Sequence, residues 1–362
     1  MRIGFDRQIF TIQKYGGISR YFSDLYLGLL EQSGIEADLL FNRHQNAYLE
    51  WHGIGKVLHP LAAKCYIKAM TKGNFRVPLA KGKDIHHSTY YLGLPQKNDA
   101  HVRLVSTLYD MIPEQFPQFF KGNPHVNKVE WFKASDLIIS ISDSAAADLA
   151  NLQPALANRI RRIHLYSVFT TESPQSKPVA IAQNDISYML FVGSRGAYKN
   201  RKLLLRSFAA SMPSRHGHKL VFAGGGAFRQ DELADIDRLG ITGDVQQMDV
   251  NDEELWYLYR HAKGVLVPSM AEGFSLPLVE GLTADVPVIC SDIPVHREIA
   301  GEFATLINAQ RHQDWTDILS SIGSLKNPSE KLGATKYNEL CKYFSKERMV
   351  SEHIQSYGSI LA

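Results

Sequence analysis

Apolar residues along the chain fall into short runs separated by stretches with helical spacing. Arg2–Phe5 opens a strand. Ile18, Tyr21, Phe22, Leu25 and Leu29 then recur at three- and four-residue intervals, one face of a helix that follows Gly16-Gly17 and stops at Gly34. Residues 35–41 read as a second strand and 84–90 as a further one; 102–108 and 137–141 are apolar enough for buried parallel strands. Ser142-Asp143 supplies an N-cap for a helix through Leu149. Beyond 187 the alternation is clearer: strands at 188–193, 219–223, 264–268, 286–290 and 303–307, with helical stretches between them. Strands separated by helices imply βαβ units and parallel sheets. The expected fold class is α/β, two doubly wound Rossmann-like domains facing one another across a cleft, with ligands at the carboxyl ends of the strands.

Residues 171–186 contain Pro, Ser and Thr without a clear period and read as a linker. The expected division is a first domain over 1–170, a second over 187–345, and a C-terminal helix over 346–362 that crosses back to the first. The length of 362 residues suits two domains. With 44% apolar and 21% charged residues, a disordered or low-complexity chain is excluded. No run of about 18 apolar residues is present, so no membrane span is expected. The charged start, Met1-Arg2 to Asp6-Arg7, lacks the apolar core of a signal peptide. Cys65, Cys290 and Cys341 lie far apart, which argues against a disulfide framework or zinc finger and suits a reducing cytoplasm.

The net charge of +3 hides an asymmetry. Residues 1–180 hold 21 Lys+Arg against 15 Asp+Glu, residues 181–362 hold 19 against 22. Seven basic residues and no acidic one lie between Lys56 and Lys83. Read as a helix, 60–72 puts Lys64, Lys68 and Lys72 on one face and Leu61, Cys65, Tyr66, Ile67, Ala69 and Met70 on its apolar side. Such a helix can lie on an anionic membrane surface, and the plain alternative is a surface helix of its own domain. Nucleic acid is not expected, because aromatic residues are not interleaved with the cations.

The most informative stretch is 268–280, PSMAEGFSLPLVE, directly after an apolar strand. Glu272-Gly273-Phe274 makes a turn, and a helix starts near Leu276-Pro277, where proline needs no N–H. Backbone N–H groups at a helix start form an anion site. Glu272 on the loop can accept from sugar hydroxyls, and Glu280 in the helix can take a ribose diol. A strand–loop–helix with two surface glutamates is the plain alternative.

In the form EGFSLPLVE, E-x7-E resembles the signature of retaining glycosyltransferases of family four, the group 1 glycosyltransferases of the GT-B fold that build bacterial polysaccharide and lipopolysaccharide. FVGSRGAYKN (191–200), FAGGG (222–226), ELWYLY (254–259), PS (268–269), PVICSDIP (287–294) and REIAGEFA (297–304) follow in the family's order. YGGISRYF (15–22) resembles its glycine-rich loop; TLYDMIP (107–113) and SDLIISISDSAAADL (135–149) match elements before the linker. The resemblance implies that Arg195 and Lys199 clamp the donor diphosphate, where cations offset the charge that grows on the leaving group. It also implies that Glu280 holds the nucleotide ribose and Glu272 the transferred sugar. The N–H groups of Gly273, Phe274, Ser275 and Leu276 would meet sugar and phosphate oxygens, with Gly16 and Gly17 approaching the diphosphate. The first domain would bind the acceptor. Where many relatives carry a sugar-contacting His, this chain has Tyr109 followed by Asp110. A phenol with a pKa of about 10 is no base near neutral pH, so Tyr109 is a hydrogen-bonding candidate and Asp110 an acceptor-side one; packing and turn capping are the alternatives. His86 and His87 are adjacent on a strand, point to opposite faces and do not suit one metal. Asp235-Ile236-Asp237 sits in a polar helical stretch, 229–239, and reads as a solvated face.

The resemblance implies transfer with retention, by same-face attack, with the leaving phosphate accepting the acceptor's proton. GDP-mannose is the expected donor and a UDP-sugar the alternative; the acceptor is a glycan or lipid-linked hydroxyl, and neither metal nor cofactor is expected. The expected location is cytoplasmic, peripheral on the inner face of the membrane. A sugar-nucleotide 2-epimerase and a non-catalytic sugar-nucleotide-binding subunit are the other readings.

Overall fold

The computed structural model describes residues 1–71, 75–97, 99–184, 186–211 and 217–362. The chain divides into two compact units, Met1–Leu165 with Lys346–Ala362, and Tyr166–Ser345. The division thus falls at Leu165 rather than at 170, and the stretch read as a linker contains a helix, Val179–Asn184. Ser167 N–H donates to the Phe344 carbonyl at 2.9 Å, and its Oγ meets the Thr283 hydroxyl at 2.8 Å, which ties the chain just beyond Leu165 into the second unit.

The first unit is built on a six-stranded parallel sheet: β1 (Arg2–Phe5), β2 (Glu36–Leu39), β3 (Ile85–Ser88), β4 (Arg103–Leu108), β5 (Leu137–Ser140) and β6 (Ile160–Arg162), in the order β6-β5-β4-β3-β1-β2. The chain reverses its direction of winding at β1, between β2 and β3. Helix Gly17–Leu30 packs on the C-terminal helix Lys346–Ser359. Gly28 permits this approach, since a Cβ there would meet Val350 Cγ2 at 2.6 Å. Tyr21 OH bonds His353 Nε2 at 2.6 Å, and His87 Nδ1 bonds Tyr357 OH at 2.7 Å.

The second unit repeats the plan with β7 (Tyr188–Val192), β8 (Lys219–Ala223), β9 (Val245–Met248), β10 (Val265–Val267), β11 (Val288–Ser291) and β12 (Thr305–Ile307), in the order β9-β8-β7-β10-β11-β12. Met189, Phe191, Leu220, Phe222, Leu266 and Ile289 meet Leu204, Phe208, Trp315 and Leu319 from the covering helices. The sheet's switch point lies between β7 and β10, where a doubly wound sheet opens a crevice.

Helix Pro60–Thr71 differs in its burial from the amphipathic reading. Ala63 and Met70 are buried, whereas Leu61 and Cys65 are exposed alongside Lys64 and Lys68. Tyr66 lies under the Arg7 guanidinium, 4.6 Å from ring centroid, which anchors the helix. Lys72 lies outside the described residues. Among the described residues, no helix is long and apolar enough to cross a membrane.

Candidate functional site

The loops after β7 and β10 carry the candidate residues of the second unit to the switch point. Lys199 closes a short 3-10 turn, Ala197–Lys199, and Asn200 takes a left-handed backbone (φ 58°) before helix Arg201–Ala210. Asn200 Nδ2 donates to the Ala309 carbonyl beyond β12 at 2.7 Å, and Met270 N–H donates to the Tyr198 carbonyl at 2.7 Å, which stitches the loops after β7 and β10 together. Lys199 Nζ then reaches Glu272 Oε1 at 2.6 Å, and Ser269 Oγ donates to the same oxygen at 2.7 Å. Both side chains of the ion pair are largely shielded, which strengthens it relative to a pair in water.

Ser275 caps helix Leu276–Thr283 from a left-handed backbone (φ 82°), with Pro277 in the first turn. A non-glycine residue held there is strained, and such strain gathers at functional sites. Ser275 Oγ is buried and makes no hydrogen bond among the described residues. Gly273, Phe274 and Leu276 flank it, and the Phe274 ring packs edge-on against Phe344 at 6.2 Å. One turn into the helix, Glu280 is buried and its Oε2 accepts from Tyr259 OH at 2.6 Å. Burial, then the Glu280 charge, pushes the Tyr259 phenol well above its ordinary range, so it remains a donor. Tyr259 closes the ELWYLY motif, which was the signal for it in the sequence.

His296 Nδ1 bonds the Ser291 carbonyl at 2.8 Å. A carbonyl only accepts, so Nδ1 carries the proton and the buried Nε2, without a hydrogen-bond partner among the described residues, presents a lone pair in the neutral ring. Burial lowers this imidazole's pKa, with the Glu272 charge opposing it.

Arg195 departs from the expected diphosphate clamp. Its guanidinium is buried and donates to both oxygens of Glu232 (3.0 and 3.3 Å) and to the carbonyls of Gly224 (3.0 Å), Gly226 (2.8 Å) and Ala227 (3.0 Å). It lies over Phe228, 4.9 Å from ring centroid. Most of its donors are engaged by Glu232 and the glycine loop after β8. Burial pushes the Glu232 carboxyl up, but the hydrogen bonds and charge of Arg195, with the Arg229 N–H, win and lower it. Asp235 is likewise no part of a solvated face: it is buried against Arg201 and paired with Arg238, whereas Asp237 is exposed.

The first-unit candidates are placed as follows. Gly16 caps helix Gly17–Leu30, and the Ser19 N–H at that helix start is taken by Gln13 Oε1 at 3.1 Å. An anion there has to displace Gln13, a residue the sequence did not single out. Tyr109 is buried and donates to the Thr89 carbonyl at 3.1 Å. Asp110 Oδ1 accepts from Ile112 N–H at 3.0 Å in the turn that leads into the short helix Ile112–Gln115. Tyr109 thus makes a packing contact and Asp110 a turn contact in this structure. His86 and His87 do diverge: His86 Nε2 lies 3.4 Å from Asp6, and His87 faces Tyr357 and Thr107. Asp6, at the carboxyl end of β1, accepts from Thr89 Oγ1 (2.6 Å), Gln8 Nε2 (2.7 Å) and Ser88 Oγ (3.0 Å). Burial pushes its carboxyl up, and the bonds from His86, Thr89 and Gln8 outweigh that and lower it.

Residues 174–339 match the family described as Glycosyl transferases group 1. The chain is 25% identical over 270 residues to the O-antigen chain mannosyltransferase B of Escherichia coli, covering 70% of each. It is 24% identical over 176 residues to the O-antigen chain mannosyltransferase RfbU of Salmonella typhimurium, 44% of this chain and 48% of that one. Among solved structures it resembles Anabaena HepE in complex with UDP and glucose, with TM-score 0.71 at 17% identity, over 99% of this chain and 100% of that one. At that identity the likeness is one of fold: the two parallel-sheet units are of the GT-B class.

Proposed function

We propose that this chain, a group 1 glycosyltransferase by the family its residues 174–339 match, moves mannose from GDP-mannose to a hydroxyl of a glycan or lipid-linked acceptor in bacterial surface polysaccharide assembly. The observation that carries donor transfer is the Lys199–Glu272 pair, joined by Ser269 beside the strained Ser275 turn. The choice of mannose rests on the relatives named as mannosyltransferases.

In this reading an arriving diphosphate takes over the Lys199 ammonium, and Glu272 turns its released oxygen to the sugar's hydroxyls. The amides of Gly273, Phe274, Ser275 and Leu276 at the helix start face negative charge, which the helix dipole favours. Glu280, oriented by Tyr259, takes the ribose diol. As the glycosidic bond breaks, its electrons pass to the diphosphate; Lys199 and the helix start stabilise the charge, and a phosphate oxygen accepts the acceptor's proton as the new bond forms on the same face. The chemistry assigned here needs no metal, and the product retains its anomeric configuration.

A thermal-shift panel of GDP, UDP and ADP reads the base directly. A ligand at 100 Kd that binds only the folded chain stabilises it by about 2.7 kcal/mol, and GDP is expected to shift the melt most. GDP-mannose with an acceptor glycan should then yield an α-linked product. A larger shift with UDP would overturn the donor, and a 2-epimer formed without acceptor would overturn transfer.

A further inference from the structure

Three aromatic side chains of the first unit meet at its surface. Tyr15 stands in the connection that leaves the carboxyl end of β1, just before Gly16-Gly17. Tyr48 and Trp51 belong to helix Ala47–Trp51, in the connection that leaves β2. Their rings touch pairwise, with centroids 5.3 Å apart for Tyr48 and Trp51, 6.1 Å for Tyr15 and Tyr48, and 6.0 Å for Tyr15 and Trp51. Tyr15 is nonetheless 57% exposed and Trp51 60%. A contiguous group of exposed rings, unlike apolar residues scattered singly, marks a binding surface.

The group is fixed from beneath. Asn46 is fully buried, and its Oδ1 caps the helix by accepting from the Leu49 N–H at 3.1 Å. Its Nδ2 donates to the carbonyls of Gln13 (3.2 Å) and Lys14 (3.3 Å), and the Ala47 N–H donates to the same Lys14 carbonyl at 2.9 Å. The segment that carries Tyr15 is thereby bonded to the helix that carries the other two rings. Such preorganised rings lose little freedom when a ligand settles on them. Both segments leave the carboxyl end of the sheet, the end at which doubly wound sheets take ligands.

Charge and shape select the ligand. The Lys14 ammonium lies over the Tyr15 ring, 5.5 Å from its centroid, and the Arg20 guanidinium over Tyr48 at 5.1 Å. Asp24 lies 3.9 Å from Arg20, and Glu50 precedes Trp51 in the helix. These two cations and two carboxylates balance, which suits a neutral ligand better than a phosphate backbone or an anionic bilayer. Tyr48 meets Trp51 at 80° and Tyr15 meets Tyr48 at 82°. Rings packed edge-on in this way do not offer successive nucleobases a row of separate platforms. A pyranose fits instead. Its apolar C–H face suits the electron-rich face of an aromatic ring. Its hydroxyl rim needs donors and acceptors, which the exposed Lys14, Glu50 and His52 beside the rings can supply.

We infer that Tyr15, Tyr48 and Trp51 form a glycan platform on the first unit, with Trp51 as its stacking face, and that it holds an uncharged hexose of the acceptor chain. The acceptor's part in this rests on the transferase reading above.

Of the four tryptophans, Trp131, Trp256 and Trp315 are fully buried, so Trp51 is the one open to a quencher. Acrylamide quenching of the full chain is measured with α-mannotriose, with maltotriose, and with phosphatidylcholine or phosphatidylglycerol vesicles. At least one trisaccharide should shield Trp51. Shielding by neither, or by phosphatidylglycerol vesicles alone, would overturn the platform. Trp51→Ala should raise the acceptor KM about tenfold, with kcat and the donor KM unchanged. Trp51→Phe, which keeps a ring, should recover most of that loss. An acceptor KM unaltered in Trp51→Ala would also overturn the inference. Failure of the transferase reading shows separately, as a trisaccharide that shields Trp51 in a chain that forms no product and whose melt no nucleotide shifts.

Discussion

Lys199 and Arg195 leave the same strand end four positions apart and do different work. Lys199 is partly open and pairs with Glu272, a carboxylate that a substrate can replace, so its removal should act on the reaction. Lys199→Ala or Glu272→Ala should keep the fold and lose transfer by roughly 10²–10³. Unaltered melting with near-normal turnover would refute the assignment. Arg195 is closed off, and its removal leaves the Glu232 charge buried without its principal partner. Arg195→Ala should cost about 3–5 kcal/mol of stability, read as a lowered denaturation midpoint; a loss of turnover at unchanged stability would instead restore it to the diphosphate. The sequence shows both cations after a strand, but the difference depends on Glu232 and the 224–227 carbonyls, about thirty residues away. Lys199 and Glu272 were legible as separate candidates because each sits in a motif of its own, but their direct pairing was not. Nor was the left-handed Ser275: nothing in EGFSLPLVE marks a serine that adopts a conformation favouring glycine.

At the scale of elements, strands buried on both faces were the most legible, because a parallel strand covered by helices is a continuous apolar run. Val245–Met248 escaped notice, being half polar (VQQM) at the sheet's edge, and so did Ile160–Arg162 for the same reason. Helix Pro60–Thr71 has the expected bounds as far as Thr71 but a different face to solvent. Its exposed side mixes Lys64 and Lys68 with Leu61 and Cys65, a composition suited to the interface of an anionic bilayer, where each cation contributes about 1 kcal/mol. Sedimentation with vesicles should therefore show binding that needs anionic lipid and weakens with salt. Lys64→Glu/Lys68→Glu should abolish it without lowering the melting temperature. Equal binding to neutral vesicles would remove the electrostatic account.

At the scale of the molecule, the chain leaves its first unit at Leu165, builds the second, and returns with Lys346–Ala362. The returning helix is fastened through two buried histidines: His353, bonded to Tyr21 and the Met349 carbonyl, and His87, bonded to Tyr357 and Thr107. Their rings stack with centroids 6.2 Å apart. Burial drives both towards the neutral form, His353 to about 4 and His87 well below its ordinary value, with His353 and His86 adding to the effect on His87. In the unfolded chain each takes a proton near pH 6.5. The folded state therefore binds fewer protons, and stability rises with pH. The contribution is complete above about pH 6.5 and fades as pH falls towards 4; for His353 the interval corresponds to about 3 kcal/mol. Acid should thus undo the fastening that closes the first unit. Urea midpoints measured from pH 7.5 down to 4.5 should fall, and His353→Gln, which keeps a polar side chain but cannot titrate, should flatten that fall while lowering the neutral-pH midpoint. A variant profile parallel to that of the parent chain would show that the acid sensitivity arises elsewhere.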